Sequence, residues 1–366
     1  MGSCQGAAVP LAPKNLKQVS VRIDRQVEKA QIEARNLQRL LLLGAGESGK
    51  STLFKQSKAL FGKPFSKKER EDLVLIIRSN VLEGIATLLE QAELRGITNA
   101  EIIQLKEEMI QDRNRDGVST ELVVSVKRFW ALEEIKKLFE CRAEFQLQDS
   151  LGFFLDRIEQ VSALDYDPPL DHILRSRSKT TGVVEMEVAL KGQRVALIDV
   201  GGQRNERRKW IHQFSVCSAV IFVASMAEYD QVLIEDQRTN RLLEALDLFS
   251  AVCHIKTFDG KPLILFLNKR DLFFEKLKKV PLNSLFDSYV PTLTYPVEAT
   301  VSEKEAIKEF QQASEFLVDR FRKCDRSQSR SIYCHVTCAT DSENIKHVFL
   351  DLVDVIIRNF LMESGF

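Results

Sequence analysis

The sequence predicts an α/β fold, a parallel sheet interrupted by a long all-helical insertion, and three observations carry that prediction. Five short, largely apolar runs, Leu40–Leu43, Val195–Ile198, Val220–Ala224, Leu263–Leu267 and Ile332–Val336, read as strands buried on both faces. Helical periodicity fills the gaps between the last three, the alternation expected of parallel strands and crossover helices. From about residue 65 to 164 only helix-period patterns occur, among them Leu73-Ile76-Ile77-Val81, Val123-Val126-Trp130 and Phe153-Phe154-Ile158.

Ahead of the first strand, Leu16, Val19, Ile23, Val27, Ala30, Ala34 and Leu37 recur at steps of three and four, an amphipathic helix with one apolar stripe. Residues 1–39 hold seven Lys/Arg against three Asp/Glu, a net charge of +4. The insertion leaves the sheet near Gly62 and returns near Leu174, roughly 110 residues later. The chain therefore divides into an N-terminal helix (1–39), an α/β domain (40–61 with 175–366) and an inserted helical domain (62–174).

At 366 residues the chain is long enough for two cores. Its 44% hydrophobic and 28% charged residues exclude collagen, disordered tails and disulfide scaffolds. With 52 Lys/Arg balancing 52 Asp/Glu, there is no basic excess to favour nucleic acid. Seven scattered cysteines without a CxxC pair, and no cleavable signal sequence, read as reduced thiols in a cytosolic protein. The most apolar stretch, 219–224, is too short to span a bilayer, so any membrane contact is peripheral.

Chemistry enters directly after the first strand. Gly44-x-x-x-x-Gly49-Lys50-Ser51 is a P-loop, in which backbone N–H groups cradle phosphates, the lysine reaches their oxygens and the serine hydroxyl coordinates Mg²⁺. Gly44-x-Gly46-x-x-Gly49 also fits a dinucleotide turn, but such a turn has no need of Lys50 and Ser51. Asn268-Lys269-Arg270-Asp271 closes the strand Leu263–Leu267. Its aspartate can accept from both N1–H and the 2-amino group of guanine, its asparagine can donate to N7, and its lysine stem can cover the base. Asp199-Val200-Gly201-Gly202-Gln203 ends another strand, with a carboxylate for Mg²⁺, a Gly202 N–H to sense the γ-phosphate and a glutamine placed to orient water. Arg175-Ser176-Arg177-Ser178-Lys179-Thr180-Thr181-Gly182 brings cations and hydroxyls to the joint between insertion and sheet. A P-loop ATPase or kinase is opposed by Asn268-Lys269-x-Asp271. A non-catalytic GTP-binding scaffold is opposed by Arg177 and Gln203 together.

These segments, with Thr337-Cys338-Ala339-Thr340 and the insertion itself, resemble the α subunits of heterotrimeric G proteins from the N-terminal helix to the last residue. The resemblance implies a Ras-like P-loop GTPase domain with a mixed, mostly parallel sheet, plus an inserted helical lid over the nucleotide. It implies Ser51 and Thr180 as direct Mg²⁺ ligands with Asp199 behind them, Arg177 as an arginine finger supplied in cis, and Gln203 as the water-orienting residue. Nucleotide contacts are implied at Glu47, Ser48, Gly49, Lys50, Ser51, Thr52, Asp149, Ser150, Leu174, Arg175, Lys179, Gly202, Asn268, Lys269, Asp271, Cys338, Ala339 and Thr340. Asn268, Lys269 and Asp271 would hold guanine, with the Ala339 N–H donating to its O6, and Gly202, Arg207 and Glu244 would form the active-state clasp. The implied function is a GTP/GDP switch coupling a seven-transmembrane receptor, read by the C-terminus, to an effector. A βγ dimer would dock on the N-terminal helix and the switch region, and a GTPase-accelerating protein would be a further partner.

Lipidation at Gly2 and Cys4 would hold such a protein at the cytoplasmic face of the plasma membrane, aided by the basic N-terminal segment. Gly6 stands where the myristoylation pattern wants Ser or Thr, which leaves Cys4 palmitoylation as the better-supported anchor. Met362-Glu363-Ser364-Gly365-Phe366 ends the chain without the cysteine that some family members carry there. Asp112-x-Asn114-x-Asp116-Gly117 opens like a Ca²⁺ loop, yet Val123 occupies the twelfth position, where a bidentate Glu is required. It reads as a polar turn before a helix starting near Ser119. No histidine spacing supports zinc.

Overall fold

The computed structural model describes residues 37–112, 120–295, 301–325 and 331–363. Gly2, Cys4, the apolar stripe up to Ala34, the turn at 113–119 and the last three residues lie outside them. Leu37, the last member of the stripe, is buried in a non-helical position just before the first strand.

Six strands form one sheet: β1 (Gln38–Leu43), β2 (Val183–Leu190), β3 (Gln193–Val200), β4 (Ala219–Ser225), β5 (Leu263–Asn268) and β6 (Ile332–Val336), in the order β2-β3-β1-β4-β5-β6. Every pairing is parallel except β2 with β3. The mixed, mostly parallel sheet is thus as expected, and the five apolar runs are strands. The sixth, β2, was not among them. It is an edge strand whose Glu185 and Glu187 alternate with Met186 and Val188, so it lacks the continuous apolar signature of a central strand. Lys191 and Gly192, both at positive φ, make the two-residue turn that returns the chain antiparallel into β3.

The helices are α1 (Lys50–Phe61), α2 (Lys67–Leu94), α3 (Ala100–Asp112), α4 (Thr120–Ala131), α5 (Glu133–Glu140), α6 (Leu151–Leu155), α7 (Ile158–Ser162), α8 (Leu170–Arg175), α9 (Ile211–Phe214), α10 (Arg241–Cys253), α11 (Arg270–Leu277), α12 (Glu303–Arg322) and α13 (Ser342–Glu363). Among the described residues, every regular element from α2 to α8 is helical. Ser66 opens α2 with a reciprocal capping box to Glu69, which fixes where the long helix begins.

Strand alternation divides the sheet into two faces. Leu41, Leu43, Ile198, Phe222 and Leu265 pack with Phe249 of α10, Phe273 of α11 and Phe321 of α12. Leu40, Leu42, Leu197, Ile221 and Phe266 pack on the opposite side with Leu53 of α1 and Phe349 of α13. The helical segment has a core of its own, in which Ile77, Val81 and Ile85 of α2 meet Phe129 and Trp130 of α4, Ile135 of α5 and Phe154 of α6. Among the described residues, that apolar core and the two on the faces of the sheet have no member in common.

Phe349 is fully buried and packs between the Phe61 and Phe266 rings. Phe349→Ala should destabilise the protein by about 3–5 kcal/mol, because the lost transfer energy and the residual cavity add. A lower midpoint in urea at unchanged slope is the expected measurement.

Candidate active site

The segments that follow β1, β3, β5 and β6 converge at one edge of the sheet, the position where open α/β sheets bind ligands. Residues 148–153 and 174–180 of the helical segment and its exit close over that edge. The cavity between them has a volume of about 390 Å³. Its walls include Glu47, Gly49, Lys50, Ser51, Thr52, Asp149, Ser150, Leu174, Arg175, Arg177, Lys179, Thr180, Gly202, Gln203, Asn268, Lys269, Asp271, Cys338, Ala339 and Thr340, all singled out from the sequence. Ser178 of the 175–182 segment lines it too, as do Gln148, Phe153 and Leu272, to which no chemical motif had pointed. Ser48 does not line it: its side chain is buried and its hydroxyl donates to the Ala45 carbonyl.

The P-loop turns tightly at Gly49, whose φ is +101° and where a Cβ would lie 2.1 Å from Asn268 Nδ2. Only glycine fits there. Lys50 begins α1 and is buried, donating to the Gly44 and Ala45 carbonyls at 3.0 and 2.7 Å. Burial pushes its ammonium down to about 8, against the pull of Asp199. Gly202 comes so close that a Cβ would stand 2.3 Å from Lys50 Nζ. The third strand's loop is therefore held within reach of whatever Lys50 binds.

Three oxygen-bearing side chains from three segments meet at the start of α1. Ser51 Oγ lies 2.7 Å from Thr180 Oγ1 and donates to Asp199 Oδ2 at 2.9 Å, and Thr180 donates to the same Oδ2 at 3.3 Å. The other oxygen, Asp199 Oδ1, is buried without a hydrogen-bond partner. Burial raises the Asp199 carboxyl, and Lys50 opposes that rise. Two hydroxyls backed by a carboxylate with an unused buried oxygen fit a hard divalent cation such as Mg²⁺. Among the described residues no group of three or more His, Cys, Asp or Glu offers another cation site.

Arg177 leaves α8 and reaches the P-loop, where its guanidinium donates to Glu47 Oε1 at 2.5 Å. Its backbone is gripped by Asn80 of α2. Glu47 Oε2 pairs with Arg241 at 3.0 Å, and Arg241 pairs in turn with Glu228 at 3.1 Å. Glu228 accepts from Lys269 at 2.9 Å, and Lys269 donates to Asp149 of the helical segment at 2.8 Å. Six alternating charges thus run from Arg177 to Asp149. Desolvation in the cleft works against ionising Asp149, but Lys269 beside it outweighs this and holds the carboxyl at about 2. Asn80, Glu228 and Arg241 were absent from the sequence reading. They lie in helices or helical turns with no local signature, and only the fold brings them to the site.

At the other end of the cavity, Asn268 Nδ2 donates to the Ser48 carbonyl at 2.9 Å. Asn268 Oδ1 accepts from the Ala339 N–H at 3.0 Å and the Thr337 hydroxyl at 3.3 Å. The Ala339 N–H expected to face a base oxygen is therefore engaged by Asn268, because the loop after β6 packs directly on the end of β5. Asp271 stands exposed in the first turn of α11, facing the cavity. Beyond Gly202, Arg207 donates to the Gly202 carbonyl at 3.1 Å and to Glu244 at 2.7 Å. Arg204 reinforces this clasp through Glu244 and Asp236.

Residues 17–356 match the G-protein alpha subunit family. The guanine nucleotide-binding protein G(o) subunit alpha of Locusta migratoria is 38% identical over 354 residues, covering 94% of this chain and 95% of its own length. The same subunit of Caenorhabditis elegans is 38% identical over 349 residues, 94% of each chain, and that of Manduca sexta is 38% identical across 100% of this chain and 99% of its own. The chain belongs to the G-protein alpha subunit family, the guanine-nucleotide-binding GTPases that act as signal transducers in heterotrimeric G proteins.

Proposed function

We propose that the 390 Å³ cavity holds GTP and GDP, with the phosphates against the P-loop and guanine between Lys269, Asp271 and the 338–340 loop. In this reading the switch comprises an N-terminal segment (1–39) whose last two residues already belong to β1, a Ras-like domain (40–61 and 175–366) and a helical lid (62–174). The observation that carries it is the meeting of Ser51, Thr180 and Asp199 beside Arg177 and Gln203 in one cavity.

Ser51 and Thr180 would hold Mg²⁺, with Asp199 orienting them from behind; the ion supplies charge neutralisation on the phosphate oxygens. Gln203 orients the attacking water. Arg177 exchanges Glu47 for the γ-phosphoryl oxygens as charge spreads over them. Lys179 and Gly202 respond to the γ-phosphate, and its loss frees Thr180 and the Gly202–Arg207 segment. Docking of a βγ dimer on residues 16–37 and the switch region is supported by the apolar stripe. A receptor at the C-terminus and an effector on the switch surface complete the partners implied by family membership. No described helix is long and apolar enough to cross a membrane. Attachment through acylated Cys4, and Gly2 where modified, together with the basic N-terminal segment, fits a peripheral position at the plasma membrane.

Base selection should hinge on Asp271. Asp271→Asn replaces a double acceptor by an amide that can pair with the 2-oxo group of xanthine, so competition binding should show preference moving from GTP to XTP. Retained guanine affinity with no gain for xanthine would refute the placement.

Ser51→Ala removes one hard oxygen ligand. The variant should retain GDP while needing far more Mg²⁺ to retain GTPγS, as read from a Mg²⁺ titration of binding. A wild-type titration curve would count against Ser51 as a ligand.

Arg177→Cys and Gln203→Leu should both bind GTPγS at near-normal rates but hydrolyse GTP slowly in a single turnover. For Arg177 the expected loss is ~10³–10⁵-fold, the range general to arginine fingers, this family included. An unchanged rate for Arg177→Cys would make it a solvated linker residue.

A further inference from the structure

We infer that Asn80 of α2 is a positioning residue for hydrolysis: its side-chain amide fixes the backbone of Arg177 and so sets where the guanidinium can reach. The inference rests on reading Arg177 as the finger.

Residues 176–181 belong to no helix or strand, so the backbone of Arg177 has no ladder to hold it. Asn80 supplies the equivalent. Its Nδ2 donates to the Arg177 carbonyl at 2.8 Å, and its Oδ1 accepts the Arg177 N–H at 2.7 Å. One donor and one acceptor on a short, planar group match a backbone N–H and C=O as a neighbouring strand would. Aspartate would offer no donor, and an aliphatic residue would leave both backbone groups unpaired.

The platform behind this clamp is rigid. Asn80 is 7% exposed and sits between Ile77, Val81 and Gly84 on the buried face of the 28-residue α2. That face packs in the helical segment's own core. Polar asparagine is a weak helix former and adds nothing to an apolar face, so its use here is accounted for by what it holds. The far end of Arg177 is tied separately, to Glu47 of the P-loop. The finger is thus fixed by its backbone to the helical segment and by its side chain to the nucleotide loop. During hydrolysis the second tie must exchange while the first remains.

A merely structural role, latching the two segments together, makes a different prediction. Closure has other contacts that Asn80 does not touch: Lys269 with Asp149 at 2.8 Å, Gln146 Nε2 with the Val232 carbonyl at 2.9 Å, and Lys279 with Glu140 at 3.0 Å. Losing Asn80 leaves all three, but among the described residues no other hydrogen bond to the Arg177 backbone is seen.

The test uses the full chain with Asn80→Ala, Arg177→Cys and the double variant. Asn80→Ala should bind GTPγS and release GDP within about twofold of wild type, since ground-state binding does not use the clamp. Single-turnover hydrolysis should fall about 10- to 100-fold, the scale expected for displacing a catalytic group by an ångström. Affinity for GDP with aluminium fluoride, which mimics the transferring phosphoryl group, should fall in step, read by fluorescence of the buried Trp210 beside Gly201. The double variant should be no slower than Arg177→Cys alone, because Asn80 acts only through that residue. Unchanged hydrolysis in Asn80→Ala, faster GDP release without slower hydrolysis, or additive losses in the double variant would each overturn the inference. Wild-type hydrolysis by Arg177→Cys would instead overturn the reading of the finger itself. If Asn80→Ala fails to load nucleotide, Asn80→Ser, which can make only one of the two bonds, is held to the same comparison.

Discussion

The site depends first on the side chain of Asn268. Its amide joins three chain segments that are remote in sequence: the P-loop through Ser48, the end of β5 that carries it, and the loop after β6 through Thr337 and Ala339. A parallel sheet sets its strand ends side by side, but the loops beyond them are free to splay. Asn268 removes that freedom with one donor and one acceptor, both buried, where each bond left unmade would cost about 1–3 kcal/mol. It also dictates glycine at position 49, since any Cβ would collide with its nitrogen. On the proposed reading, the phosphate end and the base end of the site are thereby held at a fixed separation.

The alternating charges from Arg177 to Asp149 serve a different purpose. Buried ion pairs seldom add net stability, because desolvation offsets most of their attraction. Removing one member is costly, however, since its neighbours are left as uncompensated buried charges. Such a chain therefore selects one arrangement over its alternatives. Glu47 cannot follow Arg177 without abandoning Arg241, and Lys269 cannot follow the base without disturbing Glu228 and Asp149. The helical segment contributes Asp149 to this chain of charges, so its contact with the α/β part is tied to the charges that line the cavity.

Much of this was legible in the sequence because the P-loop, the Asn268–Asp271 segment and the Asp199–Gln203 turn each keep their chemistry within a few consecutive residues. β1, β3, β4 and β5 were legible because burial on both faces leaves an unbroken apolar run in each, and β6, an edge strand half-buried along its length, because only His335 interrupts its run. The edge strand β2 escaped because Glu185 and Glu187 face water, and alternation over eight residues does not stand out beside a charged linker. Asn80, Glu228 and Arg241 escaped for another reason. Although Glu228 and Arg241 are only 13 positions apart, their partners in the site and that of Asn80 lie 41, 195 and 97 positions away, and only the topology makes them neighbours. Resemblance named Asp149 and Ser150 without giving their contacts. The structure adds that one pairs with Lys269 and the other donates to the Arg175 carbonyl, so both brace the exit from the lid.

That division of labour bears on how the switch keeps time. Gln203 and Gly202 ride on the loop after β3, which is clasped to α10 through Arg207 and Glu244. Thr180 and Arg177 ride on the strap from the helical segment, and their position is set by α2 and α8. On the proposed mechanism hydrolysis needs both carriers in register; the strap begins at the helical segment but runs straight into β2, which pairs with β3 from Val183 and Val200 onward. Beside that pairing, the Gly201 N–H donates to the Gly182 carbonyl, the Gly182 N–H donates to Glu206, and Thr180 donates to Asp199. Bonds to a carboxylate are worth about 1.5–3 kcal/mol each. The carriers are therefore held together at the β2–β3 end, and on the proposed reading a bound triphosphate would add contacts along the stretch from Arg177 to Thr180, which lies outside that ladder. A partner that pressed the strap and the loop together would accelerate turnover without supplying any catalytic group of its own, since Arg177 is already present in the chain.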